Sequence, residues 1–525
     1  MPTRLTLRPL ATVIFLGVAS IFAGAQCTLN QTNPSVTICT PANNATVSSP
    51  VHVVAGTTDS STVKLLQIFL DGTGVYHVAS NKLDTSVSMS NGTHRLTVQA
   101  TDSLNRIFKQ TIYVTASTGS GSGLSNIHHI IFLVQENRSL DGYLGRFNAY
   151  QQMQGATPNF DGVPLSASLP DYSGTRMVSP YHYQTMCTEN LSPGWNESHY
   201  DVDGGKMDRF MKTTHSVSST LDPQGTRAMG YYDWTDLPYY YALAWEFGTS
   251  DRQFSSVLAP TIPNRMYLFT GTSFGHIRSD SPPSGGWTQP TIFDLLRTHN
   301  ISWRYYYQDS SVFLAQWNTW SQDSSNVRSI GSPGSTPTGW YKDIQSESTL
   351  PKVIFIERAS QTGLDEHPLN NVQKGAADVA KILNALLHSP SWSSSVFILT
   401  YDEGGGLYDH VPPVTLPAPD SIPPMLKSGD LPGNFTTSGF RVPMIVISPW
   451  SKPHFVSHVK RDHSSILKLI ETRFGLPALT QRDAQADNMS EFFDFSSPHW
   501  LTPPALPSQP TSGACSFSLE KAPGF

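Results

Sequence analysis

Two apolar runs in this chain end in clusters of side-chain oxygens. Ile130-Ile131-Phe132-Leu133-Val134 leads into Gln135, Glu136, Asn137 and Arg138, and Val396-Phe397-Ile398-Leu399-Thr400-Tyr401 leads into Asp402-Glu403-Gly404-Gly405-Gly406. Short runs rich in β-branched residues read as buried strands, and ligands bind beyond strand ends in open α/β sheets. Glu136, Asp402 and Glu403 would repel one another, and any phosphate, unless a cation neutralised them. With the Asn137 side-chain oxygen they form a hard-oxygen set suited to one divalent ion, Ca2+, Mg2+ or Mn2+. Taken singly, Glu136 and Asp402 read equally well as caps of the helices after their strands. A third element is Thr261, braced by Pro260 and Pro263, with Asn264 and Arg265 just downstream. A hydroxyl is a poor nucleophile until a metal or base lowers its pKa, so a Thr261 that also ligated the cation would be the attacking oxygen.

Histidines beside loop carboxylates supply acid/base partners. His367 lies in Glu366-His367-Pro368 after the apolar run Val353–Ile356, and His410 follows Asp409 shortly after Glu403. His199 precedes the Gly204-Gly205 turn, and Asp462-His463 opens an apparent helix. Such imidazoles can bind phosphoryl oxygens and protonate a leaving alcohol.

These residues need a scaffold, and the pattern between Ile127 and about Phe495 supplies one. Residues 371–388 place Val372, Ala376, Val379, Ala380, Leu383 and Leu387 on one helical face, stopped by Ser389-Pro390. The strand at 396–401, a strand at Met444–Ser448 and a helix at Ser464–Phe474 follow. Strands alternating with helices predict an α/β fold with a mainly parallel sheet sandwiched by helices. The Pro-, Gly- and Ser-rich stretches 322–340 and 411–440 read as loops over the site. Residues 35–116 read instead as a small all-β sandwich, with short alternating runs split by turn signals at Asp71-Gly72 and Asn91-Gly92. A flexible Gly/Ser linker at 117–126 joins it to a catalytic unit over 127–496, and 497–525 is an irregular tail.

Composition bounds the setting. The chain has 525 residues, of which 14% are charged, against roughly 25% in an average soluble protein, and the formal net charge is −6. That balance, without a basic tract, gives no electrostatic case for nucleic acid. Arg4 and Arg8 precede an apolar run from Leu10 to Phe22, and Ala23-Gly24-Ala25 places small residues before Gln26. This reads as a signal peptide over 1–25, so the mature chain is expected to be secreted or periplasmic, without a transmembrane segment. A lipid anchor on Cys27 fits less well, because Gln26 is not the small residue expected before it. Of Cys27, Cys39, Cys187 and Cys515, pairings 27–39 and 187–515 are conceivable, and so are unpaired thiols; no zinc spacing is present.

Collinear strings carry a family resemblance: QENRSLDGYLG (135–145), GGKMDRF (204–210), MGYYDWTDLPYYYALA (229–244), APTIPNRMYLFTGTS (259–273), EHP (366–368), SPSWSSSVFILTYDEGGGLYDHVPP (389–413) and RVPMIVISPW (441–450). Residues 127–495 resemble the bacterial phosphoesterase family, which includes non-haemolytic phospholipases C and acid phosphatases. The β-module resembles bacterial Ig-like modules. The resemblance implies an alkaline-phosphatase-like fold, metal ligands at Glu136, Asn137, Asp402 and Glu403, and a nucleophile at Thr261 that also touches the metal. It implies a phosphate-contacting role for His367 and catalytic roles for His199 and His410 as well. The expected partner is a phosphate ester, phospholipid included, with cell-surface or carbohydrate contact through the Ig-like module. The expected mechanism is attack by Thr261, a phosphothreonine intermediate, and hydrolysis by water. One departure stands out: Pro193-Gly194 occupy the place where the family often has a histidine ahead of the aligned tryptophan.

Two other readings compete. Gly271-Thr272-Ser273-Phe274-Gly275 fits the Gly-x-Ser-x-Gly pattern of an esterase elbow, but that elbow needs a helix directly after the serine, and residues 276–286 are rich in Pro, Gly and Ser. A non-catalytic secreted binding protein with a degenerate phosphoesterase domain is favoured only by the change at Pro193.

Overall fold

The computed structural model describes residues 28–525 except 49–50, 88, 90–91, 118–122, 216, 218–220 and 310–311. The expected signal peptide, Cys27, Asn91 and most of the Gly/Ser linker lie outside the described residues. Contacts divide the chain into two compact units, Met1–Gly119 and Ser120–Phe525.

The first unit is all β. Its strands are β1 (Ser35–Thr40), β2 (Ala45–Ser48), β3 (Val51–Thr58), β4 (Val63–Leu70), β5 (Thr73–Val78), β6 (Lys82–Val87), β7 (Gly92–Asp102) and β8 (Ile107–Ser117). They form two sheets, β1-β3-β6 and β2-β8-β7-β4-β5. Alternate residues point into one shared core, among them Val51, Val53, Leu66, Ile68, Leu96, Val98 and Val114. Asp71 and Gly72, with φ of 51° and 95°, make the two-residue turn between β4 and β5, which requires left-handed backbone at both positions.

The second unit is built on an eight-stranded sheet. Its strands are β9 (His129–Gln135), β10 (Gly248–Ser250), β11 (Trp303–Tyr307), β12 (Val327–Ser329), β13 (Val353–Ile356), β14 (Ser395–Tyr401), β15 (Met444–Ile447) and β16 (Phe455–Ser457). The order is β12-β11-β13-β9-β14-β15-β10-β16. From β12 to β14 every pairing is parallel, but β15 is antiparallel to both β14 and β10, so the sheet is mixed. The reversal has a simple cause. A parallel return needs a crossover, usually a helix, whereas residues 402–443 form irregular loop that stays at the end of the sheet it left. The stretch 322–340 also departs from a pure loop, since it contributes the edge strand β12.

Helices cover the sheet on both sides. Those that bear on the site are α1 (Leu140–Tyr143), α2 (Trp195–Val202), α3 (Thr261–Thr270), α4 (Val372–Leu387) and α5 (Ser464–Phe474). The predicted apolar face of α4 is buried, and the Asn371 side chain caps its start by accepting from the N–H groups of Gln373 and Lys374. Two apolar cores flank the sheet, one containing Ile131, Leu133, Phe397, Leu399 and α4, the other Phe132, Val134, Val396, Ile398 and α5. The alternation of β9 and β14 side chains between these cores is why both strands read as unbroken apolar runs. Cys187 and Cys515 form a disulfide that ties the tail to this unit, and Cys39 is also disulfide-bonded.

Candidate active site

Three neighbouring parallel strands, β13, β9 and β14, end together, and each end carries an acid: Glu357, Glu136 and Asp402. The register places Ile356 beside Leu133 and Tyr401 beside Gln135. All three carboxylates are buried. Two guanidiniums balance them. Arg265 Nη2 lies 2.8 Å from Glu136 Oε1, its Nη1 3.2 Å from Glu357 Oε1, and its Nε 3.4 Å from Asp402 Oδ2. Arg358 pairs with Glu136 and, at 2.9 Å, with Glu357. Burial would raise the Glu136 carboxyl, but Arg358 and Arg265 outweigh it and hold Glu136 below its ordinary value.

Thr261 is the first residue of α3 and is partly exposed. Its Oγ1 donates to Glu136 Oε2 at 3.3 Å. The Pro-Asn-Arg that follows now has a local explanation. Asn264 accepts from the N–H groups of Ser256 and Val257 and donates to the Ala259 carbonyl, which pins the loop delivering Thr261. Arg265, one residue on, locks that loop to the end of β9, where it also donates to the Val134 carbonyl. Thr261 thus sits at a helix start whose first N–H groups have no intrahelical partner, a setting that favours an anion.

Asn137, with φ of 57°, turns its backbone N–H onto Asp402 Oδ1 at 3.0 Å, and Glu403 N–H donates to the same oxygen at 2.8 Å. Asn137 Oδ1, Asp402 Oδ2 and Glu403 Oε1 are buried and accept no hydrogen bond. Burial, followed by repulsion from Glu136, pushes Asp402 up to about 8. Burial and the neighbouring Asp402 and Glu136 charges push Glu403 well above its ordinary value. Buried oxygen acceptors without donors, on acids that resist ionising, are the donor set a divalent cation would satisfy. Among the described residues, Asp141/Asp409/His410 and His182/Asp233/Asp236 each bring one ligand atom per residue within 4.8 Å of the others.

The histidines divide. His367 stays near the carboxylates, where its charge acts on Glu136. Its Nδ1 bonds to the Pro368 carbonyl at 2.8 Å, and its Nε2 has no hydrogen bond among the described residues. His199 lies on α2, with Nδ1 on the Trp195 carbonyl at 2.6 Å and its ring against Trp195 at 4.2 Å. Trp195 shares a buried cluster with Val257 and Ala259 of the Thr261 loop, so His199 is linked to that loop through Trp195. His463, at the start of α5, bonds through Nε2 to the Asp402 carbonyl at 2.7 Å.

His410 belongs to another cluster. Its Nδ1 lies 2.8 Å from Asp141 and its Nε2 3.2 Å from Asp161, so both ring nitrogens are engaged. Buried Arg441 bonds to Asp409 and Asp141, each at 2.9 Å, and balances this group. No hydrogen bond or ion pair joins His410 to Thr261, Glu136 or Asp402 among the described residues. Burial alone would lower its pKa, but hydrogen bonds to Asp141 and Asp161 raise it to about 9. A raised imidazole pKa favours the folded state below the ordinary value of 6.5, and the gain is lost as pH rises through about 9. His410→Gln is therefore expected to destabilise the protein more at about pH 6 than at about pH 10 in urea melts. Equal losses at both values would show that the imidazolium contributes nothing.

The sequence contained a signal for Glu357 and Arg358 that went unused: Val353–Ile356 followed by Glu-Arg repeats the strand-then-charge pattern of β9. The esterase elbow is excluded locally. Thr261–Thr270 before Ser273 is a helix, Gly271 ends it with φ of 71°, and no helix follows.

Comparisons with known proteins agree with this layout. The phosphoesterase family profile matches residues 127–477, and a bacterial Ig domain profile matches residues 34–98. Phospholipase C B of Mycobacterium tuberculosis is 31% identical over 421 residues, spanning 71% of this chain and 79% of that protein. Non-specific phospholipase C3 of Arabidopsis thaliana is 31% identical over 434 residues, spanning 75% and 78%. The haemolytic phospholipase C of Pseudomonas aeruginosa is 30% identical over 430 residues, spanning 71% of this chain and 56% of its own length.

Proposed function

This chain belongs to the phosphoesterase family and is a phosphoric ester hydrolase, and from that premise we propose a phospholipase C-type phosphodiesterase that works through a phosphothreonine at Thr261. The observation that carries this reading is the meeting of one partly exposed hydroxyl, Thr261, with Glu136 at the end of β9, the strand beside the one that ends at Asp402. The relatives' names favour a phosphodiester over a monoester. We assign the catalytic unit to 127–496 with an alkaline-phosphatase-like fold, supported by the parallel run β12 to β14 that presents the site at its strand ends. The Cys187–Cys515 disulfide supports an oxidising location, secreted or periplasmic. No helix among the described residues is long and apolar enough to cross a membrane.

The chemistry follows from the residues. Glu136, held ionised by Arg265 and Arg358, orients Thr261 Oγ1 by accepting its hydrogen bond, and the Oγ1 proton leaves to solvent. Oγ1 attacks phosphorus, the bond from phosphorus to the leaving alcohol breaks, and His367 protonates that alcohol through Nε2. Water then attacks the phosphothreonine, returning the hydroxyl and releasing the phosphorylated head group. The free N–H groups at the start of α3 face the charge that develops on the phosphoryl oxygens. Glu136, Asn137, Thr261, Asp402 and Glu403 would hold one divalent ion, which supplies charge neutralisation and acidifies the threonine hydroxyl. His199 and His410 act here as positioning residues for the loops around the site.

The test is parallel assay on phosphatidylcholine and on p-nitrophenyl phosphate, with and without chelator. Preference for phosphatidylcholine, lost on chelation and restored by one divalent ion, is expected. A preference for the monoester would move the assignment to an acid phosphatase, and full activity in chelator would remove the metal. Asp402→Ala is expected to lose about 10²–10³-fold in rate and most bound metal, read by elemental analysis.

A further inference from the structure

Building on the phospholipid reading above, we infer that Ile422, Met425 and Leu426 form a ridge that inserts into the surface of a phospholipid bilayer beside the active site. The run Ile422-Pro423-Pro424-Met425-Leu426 is apolar throughout and is flanked by Asp420-Ser421 and Lys427-Ser428. Its three large side chains are 42%, 45% and 44% exposed. Three neighbours left open together in a chain with well-filled cores indicate a surface meant to be covered.

The backbone distinguishes this ridge from an ordinary loop tip. Reaching past the headgroups to the acyl chains is unfavourable for any backbone N–H left without an acceptor. Pro423 and Pro424 have no N–H to satisfy. Ile422 donates to Asp420 Oδ1 at 2.7 Å, Met425 to the Gly275 carbonyl at 2.9 Å and Leu426 to the Pro424 carbonyl at 2.9 Å. Every donor of the ridge is thus already paired within the protein. Lys427, exposed at its edge, adds a cation suited to phosphate headgroups.

The ridge is also braced, and braced to the site. Thr272 bonds to Asp420, and Arg278 pairs with Asp430, both from the segment that follows the Thr261 helix. On the other side, Trp195 Nε1 donates to the Leu431 carbonyl at 2.9 Å and Asn196 Oδ1 accepts from Leu431 N–H at 2.8 Å. These are residues of α2, whose Trp195 shares a buried cluster with the Thr261 loop. Inserting the ridge therefore sets the position of the nucleophile relative to the bilayer.

The experiment uses the purified chain and the variant I422S/M425S/L426S. Binding is measured by sedimentation with phosphatidylcholine vesicles containing phosphatidylglycerol, and turnover is measured on those vesicles and on water-soluble p-nitrophenyl phosphorylcholine. The variant is expected to bind vesicles about ten-fold or more weakly and to lose turnover on them in proportion, with the soluble rate unchanged. The unchanged soluble rate certifies its fold. Vesicle binding within about two-fold of wild type overturns the ridge, as does a wild type that does not bind. L426W gives a second readout: vesicles are expected to shift its extra fluorescence to the blue, and no shift also overturns the proposal. Wild type that binds vesicles through the ridge but hydrolyses neither substrate would leave the docking intact and sink the phosphodiesterase.

Discussion

Thr261→Ala is expected to slow turnover by about 10⁴-fold or more while leaving metal content nearly intact. The argument rests on what else remains. Glu136, Asn137, Asp402 and Glu403 keep their oxygens, and Asn264 and Arg265 still hold the loop, so the donor set loses only the threonine oxygen and the fold keeps its support. Only the attacking oxygen goes, and a loss of that size corresponds to about 5–6 kcal/mol of transition-state stabilisation. Thr261→Ser restores a hydroxyl at the same helix start and is expected to recover most of the rate. Acid quench of wild type during turnover, followed by peptide mass measurement, is expected to find the phosphorylated head group on the peptide containing Thr261. A Thr261→Ala protein with wild-type rate, or a quench that finds no adduct in a turning-over enzyme, would eliminate the covalent route.

Arg265→Met should be the most destabilising change in the site, by about 3–5 kcal/mol. The guanidinium reaches Glu136, Glu357 and Asp402 and the Val134 carbonyl, and it is almost fully buried with a side-chain exposure of 1%. Methionine keeps the volume but strands three acids against Arg358 alone, and uncompensated buried charge is what makes broken ion pairs expensive. Arg265→Lys should recover little, because one ammonium cannot present the planar fork that bridges three carboxylates. Chemical denaturation of the two variants beside wild type checks this. A loss below about 1 kcal/mol in Arg265→Met would mean that the acids are neutralised some other way.

Much of this site was legible in the order of residues. Apolar runs at 130–134 and 396–399 read as buried strands because they are short, unbroken and rich in β-branched residues, and the oxygens just past them then lie at strand ends. Thr261 was legible as a hydroxyl braced by prolines, and α4 as an amphipathic helix, since periodicity and side-chain type are local properties. The β-module was legible from alternation and from Asp71-Gly72, whose backbone demands a tight turn.

Strand neighbours are another matter, because they depend on segments far apart in the chain. Glu357 and Arg358 gained meaning only once β13 was seen beside β9, and the balance of Arg265 and Arg358 against three acids followed from that adjacency. His410 stood close to Glu403 in sequence, yet the turn through Gly404, Gly405 and Gly406 sends it to Asp141, Asp161 and Arg441. The reversal of β15 depended on a long connection without a helix. The sequence by itself determined which acids stand at strand ends and which strands deliver them, because composition and period report burial residue by residue. Tertiary structure alone decided which charges face each other, since electrostatic partners are set by distances between strands and loops that no local pattern encodes.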